Sequence, residues 1–189
     1  MWILSRENYH MLTTDNSVFL LVDTQGKLAH SMYAKDNLFK NLKKLVKGMR
    51  VLEIPILWVE QNPKGLGPTV EEVAELLPDL QPIPKYSFSC YQNQEFRQAL
   101  EALDRHSVLV AGIETHVCIY QTVRDLRKAK YDVELIADAV SSRTIENKQI
   151  GLDKCRTIGA SITSVECVLF ELLGVAEGDR FKKILDVIK

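Results

Sequence analysis

Short, uninterrupted apolar runs alternating with helix-period segments constrain this chain more than any single residue does. Neither Ser17-Val18-Phe19-Leu20-Leu21-Val22-Asp23 nor Val108-Leu109-Val110-Ala111-Gly112 alternates between apolar and polar positions. Runs of this kind suit strands covered on both faces, the habit of parallel sheets. Between them, residues 36–53 place Leu38, Leu42, Leu45, Val46, Met49 and Leu52 at helical spacing. Residues 54–59, 132–139 and 160–163 read as further strands, with Pro55 near a strand start where no ladder donor is lost. Helical patterns cover 92–103, 117–130, 145–158, 166–173 and 179–188. The expected fold is an α/β, Rossmann-like three-layer α/β/α sandwich. Its sheet is six-stranded and mostly parallel, in the order 3-2-1-4-5-6. Five of these strands are assignable to runs. Residues 60–90, rich in Pro and Gly, are expected to be loop with one short helix near 70–77, a stretch long enough to suggest function.

With 189 residues, one domain is expected over 16–189, preceded by a tail or arm at 1–15. Lys and Arg number 24 against 25 Asp and Glu, so no basic excess advertises nucleic acid, which is not expected as a partner. No apolar run approaches the ~18 residues of a membrane span, so no membrane partner is expected. The four cysteines (90, 118, 155, 167) show neither C-x-x-C pairing nor the density of a disulfide framework, which fits reduced thiols in the cytoplasm. The opening ten residues leave a mitochondrial address as the alternative. Four scattered histidines offer no ligand spacing, and Gly65-Leu66-Gly67 lacks a nucleotide-binding pattern. Neither a metal nor a cofactor is expected.

In a sheet of this order, ligands bind beyond the carboxyl ends of strands one and four, where the strand order reverses. Strand one delivers Asp23 to that edge. Strand four delivers Gly112 and, at the turn into the next helix, Cys118. A buried cysteine often only fills space. At a helix N-terminus, however, unpaired N–H groups and the helix dipole favour thiolate, and the same donors can hold an oxyanion. Lys85 follows Pro82 and Pro84 on an otherwise apolar, aromatic stretch. If it reaches the crevice, its ammonium favours both the carboxylate and the thiolate. His116 invites a Cys–His dyad reading, but positions i and i+2 do not face each other on a helix.

An Asp–Lys–Cys set so placed resembles the isochorismatase-like hydrolase (cysteine hydrolase) superfamily. The segments that carry the resemblance are Phe19–Gln25, Pro84–Ser89 and Val110–Cys118, and it extends over roughly residues 14–175. Residues 60–69 are similar to the branch of isochorismatase-domain-containing and YcaC-like proteins, members of which have been labelled mitochondrial-associated ribonucleases. The resemblance implies that Asp23 moves the thiol proton, that Lys85 holds Asp23, and that Cys118 attacks a carbonyl to form a thioester. It also implies oxyanion donors at the backbone N–H groups of Glu114 and Cys118, a cis peptide bond at Ile113–Glu114, and a homo-oligomer. Two departures stand out. Relatives that use metal carry histidines after strand two, whereas this chain has Glu60, Gln61 and Asn62 there. Glu114 stands where small residues are common, pointing either toward substrate or outward. Phe19, Gln25, Glu60, Tyr86, Phe88 and Thr115 are the candidate pocket lining, while Cys90, Cys155 and Cys167 read as packing residues. The expected function is metal-independent hydrolysis of a small amide or carbamoyl C–N substrate. The alternatives are a catalytically silent scaffold and, behind it, a ribonuclease.

Overall fold

Strand β1 (Ser17–Val22) is buried along its whole length, and its side chains part to two different cores. Phe19 and Leu21 join one; Val18, Leu20 and Val22 join the other. The computed structural model describes residues 11–189, so the expected arm at 1–15 lies largely outside the described residues. Among the described residues, β1 is followed by α1 (Gly26–His30), α2 (Lys35–Val51), β2 (Ile56–Gln61), α3 (Pro63–Leu66), α4 (Glu71–Ala74) and β3 (Ile83–Lys85). Then come α5 (Gln94–Ala102), β4 (Ser107–Ile113), a π-helical turn (Thr115–Ile119), α6 (Tyr120–Lys128), β5 (Asp132–Ser141) and α7 (Ile145–Thr157). The chain closes with β6 (Ser161–Thr163), α8 (Val165–Leu173) and α9 (Gly178–Ile188).

The six strands pair in parallel in the order β3-β2-β1-β4-β5-β6. Helices α2, α4, α8 and α9 pack on one face through Leu42, Leu45, Val73, Leu169 and Ile184. On the other face, α5, α6 and α7 pack through Phe96, Leu100, Val123, Leu126 and Cys155. With both faces covered, apolar runs without a polar side are what the strands need. Side-chain caps fix three helix starts. Asn93 accepts from the Phe96 N–H at 2.9 Å, Thr144 from Asn147 at 3.2 Å, and Ser164 from Cys167 at 3.2 Å.

Three expectations need correcting. The third strand lies inside the stretch read as loop, and it is only three residues long, at the sheet edge where Pro84 is tolerated. That stretch also holds two short helices in place of one. Finally, the chain does not enter α6 as an α-helix at Val117. The Ile119 N–H bonds the Glu114 carbonyl at 3.2 Å, five residues back, and α-helical geometry begins at Tyr120.

The switch point between β1 and β4 depends on Gly112. Its φ is +119°, and a Cβ there would lie 2.0 Å from the Val22 carbonyl oxygen. Only glycine lets the two backbones come this close beneath the carboxyl edge. Gly151 does similar work from α7, where a Cβ would meet the backbone of Thr115 and His116 at about 2.7 Å. Among the described residues no helix is long and apolar enough to cross a membrane.

Candidate active site

Asp23 follows β1 directly, with its N–H bonded to the Val59 carbonyl at 3.0 Å and its own carbonyl accepting from Gln25 at 2.8 Å. Its φ of 50° is left-handed, a region that aspartate enters more readily than most residues. This tight turn stops the strand and leaves the carboxylate buried at the sheet edge. Lys85 reaches it from β3, two strand spacings or roughly 10 Å away, a span that suits a long basic side chain. Its Nζ donates to Asp23 Oδ2 at 2.7 Å and to Gln61 Oε1 at 2.6 Å. Lys85 is fully buried and Asp23 nearly so. Gln61, the register partner of Lys85, stands on β2 between them and steadies the ammonium in its crossing. Gln61 itself is fixed by donation to the Tyr86 carbonyl at 2.9 Å.

Asp23 Oδ1 is buried and has no hydrogen-bond partner among the described residues. A carboxylate with one oxygen clamped and the other buried and free is ready to accept a proton. Burial pushes the Asp23 carboxyl above its ordinary value, outweighing the pull of the Lys85 ammonium in the other direction. Burial also opposes the charge of Lys85, yet Cys90, Asp23 and Cys118 together hold its ammonium above the usual lysine value. The Cys118 thiol, on the π-helical turn, is pushed well up by burial and then by the neighbouring Asp23 carboxylate. Both causes oppose the thiolate that a helix N-terminus favours, and they leave the sulfur's proton beside a carboxylate that can take it.

The peptide bond Ile113–Glu114 is cis. Glu114 turns its carboxylate outward to Arg143, which donates from Nε at 3.1 Å and from its backbone N–H at 3.3 Å. On the other flank His116 Nδ1 meets Ser142 Oγ at 3.0 Å. Residues 142–143 thus brace the turn at two points.

The expected lining residues divide. Phe19 is fully buried in mid-strand on the α2 side of the sheet, so it packs core and lines no pocket. The Gln25 amide is consumed by backbone: its Nε2 donates to the carbonyls of Gly67 (2.7 Å) and Gln61 (3.1 Å), and its Oε1 accepts from the Gln61 N–H (2.7 Å). Glu60 is likewise committed, accepting from the Thr69 N–H at 2.7 Å and hydroxyl at 2.8 Å, while Trp58 Nε1 donates to the same hydroxyl. Both hold the 61–70 segment in place. Tyr86 and Phe88 stand beyond Lys85, 70% and 53% exposed. Thr115 is buried in the π-turn, its hydroxyl without a partner among the described residues. Sequence reasoning missed Gln61, and it placed Cys90 away from the site. Cys90 is buried near enough to perturb Lys85 and Cys118, and burial pushes its own thiol up to about 12. Among the described residues no three His, Cys, Asp or Glu side chains are grouped as a metal site.

A six-stranded parallel sheet in this order, with Asp23, Lys85 and Cys118 gathered at its switch point, is an isochorismatase-like α/β fold, and residues 17–167 match the isochorismatase domain. The chain belongs to the isochorismatase family. Isochorismatase domain-containing protein 2 of Xenopus laevis is 37% identical over 174 residues, covering 92% of this chain and 83% of the relative. Among solved structures, MAR1 ribonuclease from Caenorhabditis elegans superposes with a TM-score of 0.88 at 30% identity, over 95% of this chain and 92% of its own. The YcaC product of Escherichia coli, described as an octameric hydrolase of unknown specificity, shares the fold with a TM-score of 0.90 at 22% identity, over 96% and 91% of the two chains.

Proposed function

We propose that this protein hydrolyses a small amide or carbamoyl C–N substrate through a Cys118 thioester, with Asp23, Lys85 and Cys118 as the working groups. The observation that carries the reading is the asymmetry of Asp23: Oδ2 is held by Lys85 at 2.7 Å, while Oδ1 is buried and unpartnered. In the acylation step the Sγ–H proton passes to Asp23 Oδ1 as sulfur bonds to the substrate carbonyl carbon. The carbonyl π electrons move onto oxygen, and the backbone N–H groups of Glu114 and Cys118 stabilise that charge. On collapse the C–N bond breaks, and the Asp23 carboxylic acid gives its proton to the departing nitrogen. Water then attacks the thioester, with Asp23 as base, releasing the acid and restoring the thiol. Lys85 keeps the buried carboxylate ionised enough to begin the cycle. Family membership supports hydrolase chemistry, and the raised Asp23 carboxyl suits a group that must both take and give a proton near neutrality.

The working unit in this reading is a homo-oligomer in a reducing compartment, with a small molecule as substrate. The octameric YcaC neighbour and the exposed Tyr86 and Phe88 beside the site support the first point, and four free thiols support the second. The test is a panel of small amides, ureas and carbamoyl compounds, assayed with wild type and Cys118→Ala, with rapid-quench intact mass to trap the acyl-enzyme. Turnover lost in Cys118→Ala, with an acyl adduct on Cys118 in wild type, is expected. Turnover surviving in Cys118→Ala removes the nucleophile assignment, and no turnover on any C–N substrate leaves the scaffold reading in its place.

A further inference from the structure

On the α2 side of the sheet, apart from Asp23, Lys85 and Cys118, a groove of about 370 Å³ opens between α2, the carboxyl end of β5 and the start of α7. That volume lies within the roughly 300–1,000 Å³ of small-molecule sites. Three lysines line it: Lys40 and Lys44 on α2, and Lys148 on α7. The only carboxylate in the lining is Asp138, whose Oδ1 is already taken by the Val165 N–H at 2.9 Å, at the start of α8. None of the three ammonium groups is in an ion pair among the described residues. Lys44 is steadied by donation to the Ile188 carbonyl, which leaves it further protons to give. Asn37 adds an amide, the Asn41 amide already donates to the Asp138 carbonyl at 2.7 Å, and Tyr33, partly exposed, forms one wall.

Three lysines facing one carboxylate leave the hollow with a surplus of positive charge. A phosphomonoester carries about −1.5 to −2 charges at neutral pH and three acceptor oxygens, which matches this surplus better than a single carboxylate does. Lysines serve as point-charge phosphate ligands, with no need for the planar fork of arginine. The space exceeds what one phosphate group fills, and Tyr33 offers an aromatic wall to whatever carries it. We infer that this groove binds a small organic phosphate, its phosphoryl group among Lys40, Lys44 and Lys148. Burial holds the Lys148 amine below its ordinary value although Asp138 pulls it up, so a bound dianion would relieve an unfavourable half-buried charge. The inference does not rest on the reading of Cys118.

The test is calorimetric titration of the full chain at low salt with adenosine monophosphate, inorganic phosphate, adenosine and a single-stranded RNA oligomer. Saturable binding of the nucleotide and of phosphate, with none of adenosine, is expected. Cys118→Ala should bind the nucleotide as wild type does. The Lys44→Gln/Lys148→Gln variant should bind it about 100-fold more weakly, since each charge-assisted bond accounts for roughly ten-fold. If loss of the Lys44–Ile188 contact impairs folding, the exposed Lys40→Gln variant replaces it, with several-fold weakening expected. The inference is overturned by no saturable binding, by adenosine binding as well as its phosphate, or by undiminished binding in the lysine variants. It is equally overturned by loss of binding in Cys118→Ala, which would put the ligand at the sulfur. Binding of RNA without binding of either phosphate compound overturns it in favour of an extended nucleic-acid surface.

Discussion

Replacing Lys85 with methionine removes the one cation beside Asp23 among the described residues while keeping a fully buried side chain of similar length. The carboxylate then keeps its burial and loses its partner. Deleting one member of a buried ion pair typically costs about 3–5 kcal/mol. For a chain of this size that corresponds to a fall in Tm of roughly 6–20 °C. The loss should depend on pH, and its sign follows from Asp23. Burial already raises the carboxyl above its unfolded value, and without Lys85 it rises further. A carboxyl raised in the folded state carries no penalty below about pH 3.9, where both states are protonated. Stability is lost progressively as pH climbs through the raised value. Lys85→Met should therefore lie closest to wild type near pH 4 and fall further below it as pH rises toward 8. Asp23→Leu/Lys85→Met, with no charge left to desolvate, should recover much of the loss. Calorimetric scans of the three proteins at several pH values measure this. A deficit below about 1 kcal/mol at pH 8, or one that does not change with pH, would refute a buried pair that depends on its cation.

Other outcomes follow from the same geometry. Cys118→Ala should lower kcat by at least about 10³-fold at a stability cost near 1 kcal/mol, read from steady-state kinetics beside thermal melts; an equal loss of stability and rate would make Cys118 a packing residue. Asp23→Asn should hydrolyse poorly yet alkylate faster at Cys118, by about ten-fold for each unit the thiol pKa falls, because the carboxylate that holds the proton on sulfur is gone. Slower labelling with iodoacetamide in this variant would separate Asp23 from the thiol. Gly112→Ala should cost about 3 kcal/mol or more, from the forbidden approach to Val22 and the positive φ together, as measured by denaturant titration. A variant of wild-type stability would mean that β1 and β4 can spread at no cost.

Much of the architecture was legible because covered strands and amphipathic helices write different periods into a sequence. Strands one and four were plain for this reason, and strand order then set Asp23 and Cys118 on one edge. Lys85 was conspicuous as a charge in an apolar stretch, although its strand was not, since three edge residues including a proline carry no periodic signal. Phe19 was misplaced for a related reason. A run that is apolar throughout does not reveal which residues face which layer, and Phe19 faces α2 while its neighbours Val18 and Leu20 face α6. Gln25 and Glu60 do sit near the edge, but their polar atoms are spent on Gly67, Gln61 and Thr69, which only the folded path of the 61–70 segment reveals. The upward push on the Cys118 thiol was likewise out of reach, since it comes from burial of the sulfur and then from the Asp23 carboxylate beside it, both of which only the folded chain reveals.

The π-helical turn has one more effect. It holds one residue more per turn than the helix it leads into, so the angular phase of Cys118 is set separately from that of α6. Downstream, Val123 and Leu126 keep the rhythm that docks the helix on the sheet. Upstream, the extra residue turns the sulfur by roughly 100° relative to where an unbroken α-helix would carry it. The aim of the nucleophile and the seating of the helix can thus be tuned separately. Deleting a single residue from 115–119 would throw them back into one register, leaving a helix that still docks and a sulfur that points elsewhere.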